Sequence, residues 1–283
     1  MRWIAWTVVT LALMSRALAA DLGDIPVLRG TDVGPPLFTN WSGFYFGGTA
    51  SYSSGKVDFS DASAPLVGHS LRETELELDQ SPSSWPIFGS ASSHSTGFGA
   101  FAGYNVQFQE VIVGLEGNYT HSPFTAVSSN SPIARVVTAG ANEYSVNITG
   151  TASMQVTDFG SLRARAGWIY NNFLPYGFVG LALGRGNYSV STLVYGQQNA
   201  TSAASPIIPC DPTTIATCVN YSFGNSNGQN NVLLYGFSVG GGVDVALTPN
   251  LFVRGEFEYV QFAPIASIVA SISTARVGAG LKF

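Results

Sequence analysis

The sequence predicts an all-β chain: an eight-stranded antiparallel up-and-down transmembrane β-barrel with long extracellular loops. Three observations predict it. First, of 283 residues only 10% are charged, while 46% are hydrophobic, 12% are aromatic and 32 are glycine. An average soluble domain is about 25% charged and a well-dressed soluble surface about 25–35%, so this chain cannot cover a water-facing exterior of ordinary area. Second, no apolar run reaches the ~20 residues that a spanning helix requires. Third, period-2 alternation recurs along the chain, with apolar residues on one parity and nearly all strand charges on the other. The aromatic content excludes disorder. With 12 Lys plus Arg against 17 Asp plus Glu and no basic run, nucleic acid is not an expected partner.

The N-terminus has the form of a secretory signal over residues 1–19. Met1-Arg2 is a short positive region, Trp3 through Met14 is an apolar run, and Ala17-Leu18-Ala19 supplies small residues for cleavage before Ala20. Residues 20–40 contain Pro26, Pro35 and Pro36, have no period, and read as an extended periplasmic lead-in. The barrel domain is expected over residues 41–283.

Strands are expected near 41–54, 95–108, 111–121, 153–170, 174–188, 232–247, 251–263 and 268–283. The alternation is clearest where Phe98, Ala100, Ala102, Tyr104, Val106 and Phe108 interleave with Gly97, Gly99, Phe101, Gly103, Asn105 and Gln107. It is equally plain where Leu162, Ala164, Ala166 and Trp168 interleave with Ser161, Arg163, Arg165 and Gly167. Short turns follow the second, fourth and sixth strands, at Gln109-Glu110, Asn171-Asn172 and Thr248-Pro249-Asn250. Long loops are expected over 55–94, 122–152 and 189–231. Short turns on one side and long loops on the other are the habit of an outer-membrane barrel.

The apolar parity should face lipid. Aromatics cluster at its ends, at Tyr104, Phe108, Tyr119, Trp168, Tyr170, Tyr235, Tyr259 and Phe283, as an interfacial girdle would. The other parity carries Glu116, Arg163, Arg165, Asp244, Arg254, Glu256, Glu258, Arg276 and Lys282. A charge facing lipid at the midplane costs ~2–4 kcal/mol, so these side chains are expected in the lumen, where Arg163, Arg165, Arg254 and Arg276 would form an ion-paired plug with Glu116, Asp244, Glu256 and Glu258. An eight-stranded interior is only wide enough for side chains to fill it. Asp158 shares the lipid-facing parity of Leu162, which places it either above the bilayer or beyond a bulge.

At these residues the chain resembles a known family. Trp41-Ser42-Gly43-Phe44-Tyr45-Phe46-Gly47-Gly48, behind Ala-Asp-Leu, is similar to the first strand of the opacity-porin-like outer-membrane β-barrels of Gram-negative bacteria. The small surface antigens, some of them hemin-binding, are the nearest branch. Phe173-Leu174-Pro175-Tyr176 resembles the turn into that family's fifth strand, and Arg276 through Phe283 resembles its last strand. The resemblance implies residence in the cell outer membrane, among outer-membrane lipid and lipopolysaccharide. It also implies that the terminal aromatic, Phe283, is a signal read by the barrel-assembly machinery.

Four further features are candidate sites. A hairpin centred near residue 109 sets His94 and His121 almost opposite each other at the rim, as candidate ligands for hemin iron or as polar rim residues only. The segment Leu71–Asp79 alternates acids with Leu and Thr, and reads as an extended hairpin with a solvated acidic face. Cys210 and Cys218 have no His nearby to complete a metal site, and after export a loop disulfide is expected. No Ser–His geometry supports catalysis, so no enzyme is expected. The expected role is structural: outer-membrane integrity and the display of long loops. Binding of hemin or host surface molecules by those loops, and a small-solute porin, are the alternatives.

Overall fold

A computed structural model describes residues 40–130, 132–200 and 209–283. The expected signal segment and most of the lead-in lie outside the described residues. Nine strands form one antiparallel sheet: β1 (Gly43–Asp58), β2 (Ser90–Phe108), β3 (Val111–Ser129), β4 (Ile133–Ala139), β5 (Asn142–Trp168), β6 (Phe173–Ala200), β7 (Val219–Ala246), β8 (Leu251–Phe262) and β9 (Val269–Lys282). β3 pairs with β5 and β1 with β9, so the sheet closes on itself. Eight strands make the ring. β4 stands outside the ring count, because it continues along β5 above the point where β3 stops.

The lower part of the ring obeys the predicted parity. Phe98, Tyr104, Phe108, Leu162, Trp168, Leu181, Tyr235 and Phe283 are exposed, while Glu116, Arg163, Arg165, Arg254 and Glu258 are buried. From the turn at Gln109-Glu110, residues Val111 to His121 of β3 match the ~9–11 residues a tilted strand needs to cross a bilayer.

Above that height the structure departs from the expected long loops. β5, β6 and β7 run for 27, 28 and 28 residues, more than twice the bilayer requirement, so most of 122–152 and 189–231 is strand. The reason is an exchange of solvents. Outside the membrane the wall turns Ser189 and Ser191 to water and Val190, Thr192 and Val194 inward. An apolar core there joins Val146, Ile148, Met154, Val190 and Val194 to Leu66, Val67, Leu71, Leu76 and Phe88 of the first connection. The barrel is therefore apolar outside and charged inside within the membrane, and polar outside and apolar inside above it.

Register shifts cluster at the junction of the two regimes, at His121/Phe124, Val156/Asp158 and Gly186/Tyr188. In β5, Val156 pairs with Gly186 and Asp158 with Arg185, leaving Thr157 as the extra residue. The inward set changes there from Phe159, Ser161 and Arg163 to Val156, Met154 and Ala152. Asp158 thus sits at the bulge itself.

The first connection folds as α1 (Ala64–Ser70), α2 (Glu75–Gln80) and a 3₁₀ turn at Pro82–Ser84. The extended reading of Leu71–Asp79 is corrected here. Thr74 caps α2, its Oγ1 accepting the Glu77 N–H at 3.2 Å. Leu76 is 2% exposed and Leu78 is 77% exposed, which a helix allows and a strand, with both on one face, does not. The acids are also not all on a solvated face: Glu77 is half-buried and accepts the N–H of Ser83 at 3.3 Å, while the exposed Asp79 accepts the N–H of Gly140 at 2.9 Å. Gly140 forms the β4–β5 tip at φ +56°, a conformation costly for other residues.

Candidate functional site: a sealed lumen

Eight of the nine predicted lumen charges converge on one network, and the ninth, Lys282, lies outside it, donating to Asn40 O. Arg163 from β5 bonds Glu116 of β3 through Nε at 3.0 Å and Glu256 of β8 through Nη1 at 2.8 Å. Arg165 reaches Glu116 at 3.0 Å and Asp244 of β7 at 2.8 Å. Arg254 reaches Glu116 at 2.8 Å and Asp244 at 2.7 Å. Arg276 of β9 hydrogen-bonds Glu256 at 3.0 Å and forms an ion pair with Glu258 at 2.5 Å. Inward parity on five strands brings these groups to one level, since register puts Glu116 opposite Arg163 and Arg276 opposite Glu256. Four guanidinium groups face four carboxylates, so the cluster is formally neutral.

Several partners were not singled out in the sequence. Tyr45 donates to Glu116 at 2.7 Å and accepts from Arg165 at 3.0 Å. Tyr176 donates to Glu256 at 2.8 Å, Ser161 to Glu258 at 2.8 Å, and Thr120 accepts from Arg276 at 3.1 Å. Aromatic faces lie against the guanidinium groups: Phe178 at 3.9 Å from Arg163, Tyr176 at 3.8 Å from Arg165 and Phe101 at 4.0 Å from Arg254. The available signal was parity: Tyr45 lies between the outward Phe44 and Phe46. Glycine makes room for these rings. A Cβ at Gly47 would stand 2.5 Å from Cζ of Phe101.

Apolar layers close the lumen on both sides of the charges. Toward the turns, Trp41, Tyr45, Phe101, Ile112, Ile169, Leu174 and Phe252 form a second core, and the Lys282 ammonium lies 4.3 Å from the Trp41 ring. Toward the cell exterior lies the core shared with α1 and α2.

The remaining candidate residues lie elsewhere. His94 and His121 do not face each other. His121 stands opposite Phe98, four residues from His94, a gap of about 13 Å at strand rise. His94 stacks on Tyr52 at 5.9 Å, and His121 Nδ1 is 2.6 Å from Asp158, which also accepts from Tyr119 at 2.7 Å. The paired-imidazole arrangement is corrected by this register. Cys210 and Cys218 are joined in a disulfide with Cα atoms 6.0 Å apart. Gln197 of β6 clamps that loop, donating to Cys210 O at 3.0 Å and accepting from its N–H at 3.1 Å. Within the loop, hydrogen bonds from Thr213 hold the Asp211 carboxyl below its usual range. Phe283 donates its N–H to Phe44 O at 2.9 Å and stacks on Phe46 at 5.7 Å, fastening β9 to β1.

Comparisons with known proteins supply the family. The chain is 25% identical over 225 residues to a 22 kDa outer membrane protein of Rhizobium leguminosarum bv. viciae. The match takes in 79% of this chain and spans about 65% of that relative's length. Among solved structures, the attachment invasion locus protein Ail of Yersinia pestis is similar at 14% identity, covering 86% of this chain and 99% of Ail, with a TM-score of 0.34. Neisserial surface protein A is similar at 15% identity, covering 86% and 98%, with a TM-score of 0.35. The model of the outer membrane protein β-barrel domain matches residues 35–283. By that match, with a lipid-facing apolar wall around a charged lumen, the chain belongs to the outer membrane protein β-barrel domain family and resides in the cell outer membrane.

Proposed function

We propose that this protein is a non-conducting display barrel. Its membrane part anchors a rigid, strand-built platform on the cell surface, and its role is structural and recognitional, not catalytic or transporting. The observation that carries this reading is the three-layer filling of the lumen: an aromatic core, a neutral ion-pair network, and an apolar core sealed by α1 and α2. A pore would need a continuous polar path, and water would have to displace buried side chains at each layer. The tall β4–β5 hairpin and the disulfide-closed segment from Cys210 to Cys218 then stand outside the membrane as fixed surfaces. An epitope inserted between Gly140 and Ala141 should be stained by antibody on intact cells. Staining only after the outer membrane is permeabilised would contradict the display role.

A further inference from the structure

The sheet has one long edge that nothing in the described residues covers. β7 pairs with β8 only from Gly236 onward, whereas its pairing with β6 continues up to Val219. Residues 219–231 therefore stand above the membrane bonded on one side only. At strand rise this edge is about 40 Å long.

Natural sheets protect such edges with lysine, proline, a bulge or a covering element. The edge of β4 follows that practice. Gln80 of α2 donates to Thr138 O at 2.8 Å, and Arg135 lies 4.3 Å from the Trp85 ring. The upper end of β3 carries Pro123. Residues 219–229, VNYSFGNSNGQ, contain no proline and no charge, and the bulge at Asn230-Asn231, with Asn231 at φ +55°, lies at the foot of this stretch. All but Tyr221 and Asn225 are exposed. Asn225 donates to Leu66 O of α1 at 3.4 Å, a contact on the inner face that leaves the edge open.

We propose that this edge pairs with the same edge of a second copy of the chain, antiparallel, on a facing membrane. The occupant follows from the chemistry of the edge. It offers backbone N–H and C=O groups bonded on one side only, small side chains on one parity at Ser222, Gly224, Ser226 and Gly228, with Tyr221 and Phe223 on the other, and amides that are both donor and acceptor. With no charge, two identical edges meet without repulsion, which any two copies of a lysine-bearing edge would suffer. The facing-membrane arrangement follows from strand direction. Strands of an outer-membrane barrel lean about 35–45° from the barrel axis. Two copies in one membrane, related by an axis along its normal, would cross their β7 strands. Copies related by an axis parallel to the membrane run antiparallel, as an isologous two-fold contact requires.

The test uses the full folded chain in phosphatidylcholine vesicles, in two fluorescently distinct populations. Vesicles carrying the protein should cluster and mix colours. Ser226→Pro removes an N–H that bonds the neighbouring Asn225 side chain at 2.9 Å, so it should spare the fold. Asn227→Lys is the second variant. Both should lower clustering at least tenfold while keeping the heat-modifiable gel mobility of the folded barrel. No clustering by the unaltered protein, or undiminished clustering by folded variants, would overturn the proposal. So would clustering of protein-bearing vesicles with bare ones, which would make lipid the partner. A detergent dimer without vesicle clustering would overturn the facing-membrane arrangement.

Discussion

Glu116 is the hub of the lumen, bonded to Arg163, Arg165, Arg254 and Tyr45. Removing one member of a buried ionic cluster leaves the rest desolvated and unpaired, which costs ~3–5 kcal/mol. Glu116→Ala removes one carboxylate partner from each of three guanidinium groups, Arg163 keeping Glu256 and Arg165 and Arg254 keeping Asp244. It should therefore lower the unfolding free energy in urea by about that amount, and a loss below about 1 kcal/mol would show that water solvates the lumen. Cys210 gives a contrasting case. The disulfide joins residues 8 apart in sequence, so the constraint it places on the unfolded chain is small, under about 3 kcal/mol. Cys210→Ser should leave the heat-modifiable mobility of the barrel unchanged and hasten protease nicking between Ala200 and Val219. Loss of the folded band would make the bridge a structural requirement. The charged lumen residues were legible because lipid permits no charge on the other parity. Tyr45 and Tyr176 were not, because an inward tyrosine and a girdle tyrosine read alike until the register is known. The histidines failed for a different reason: the hairpin centre is legible to within one residue, but pairs there sum to 219 and His94 plus His121 sum to 215, an offset that the strand rise turns into about 13 Å.

The elements divide by the solvent that patterned them. Strand segments within the membrane were legible because lipid outside and a charged lumen inside impose a single alternation. The upper halves of β5 and β6 were read as loops because their alternation has the opposite chemistry, as where Ser189 and Ser191 face out and Val190 and Val194 face in, and that of β7 because its Asn, Ser and Gly residues carry no apolar alternation. The extra Thr157 also moves the inward set from odd to even numbers within β5. α2 was misread because acids and leucines that alternate in sequence suit a strand, whereas the Thr74 cap and the buried Leu76 decide for a helix. Thr74→Ala should cost ~1 kcal/mol through the lost cap, and Leu76→Ala ~2–5 kcal/mol through a cavity. Faster amide exchange confined to Ala64–Gln80 would confirm that these residues hold a lid, and exchange spreading into β3 or β5 would contradict it. At the other end of the barrel, deletion of Phe283 removes one interfacial anchor, worth ~1.5–3 kcal/mol of burial. The truncated chain should refold in detergent nearly as well as the intact one. If the terminal aromatic is also read during assembly, it should accumulate poorly in the outer membrane. Equal levels in cells would remove the assembly role.

At the scale of the whole molecule, one closed wall meets two environments. Within the membrane it is a barrel turned inside out, with its polar groups buried and neutralised against each other. Above the membrane it is a soluble-type β-structure with an apolar core and a helical lid. Among the described residues buried side chains fill both halves, and on this the proposed function depends. The most direct test is the current carried by the refolded monomer in a planar lipid bilayer. The unaltered protein should insert without stable open-channel steps, and Glu116→Ala, which breaks the charged layer but leaves both apolar layers intact, should also stay closed. Stable, reproducible conductance steps from the unaltered monomer would contradict the sealed lumen.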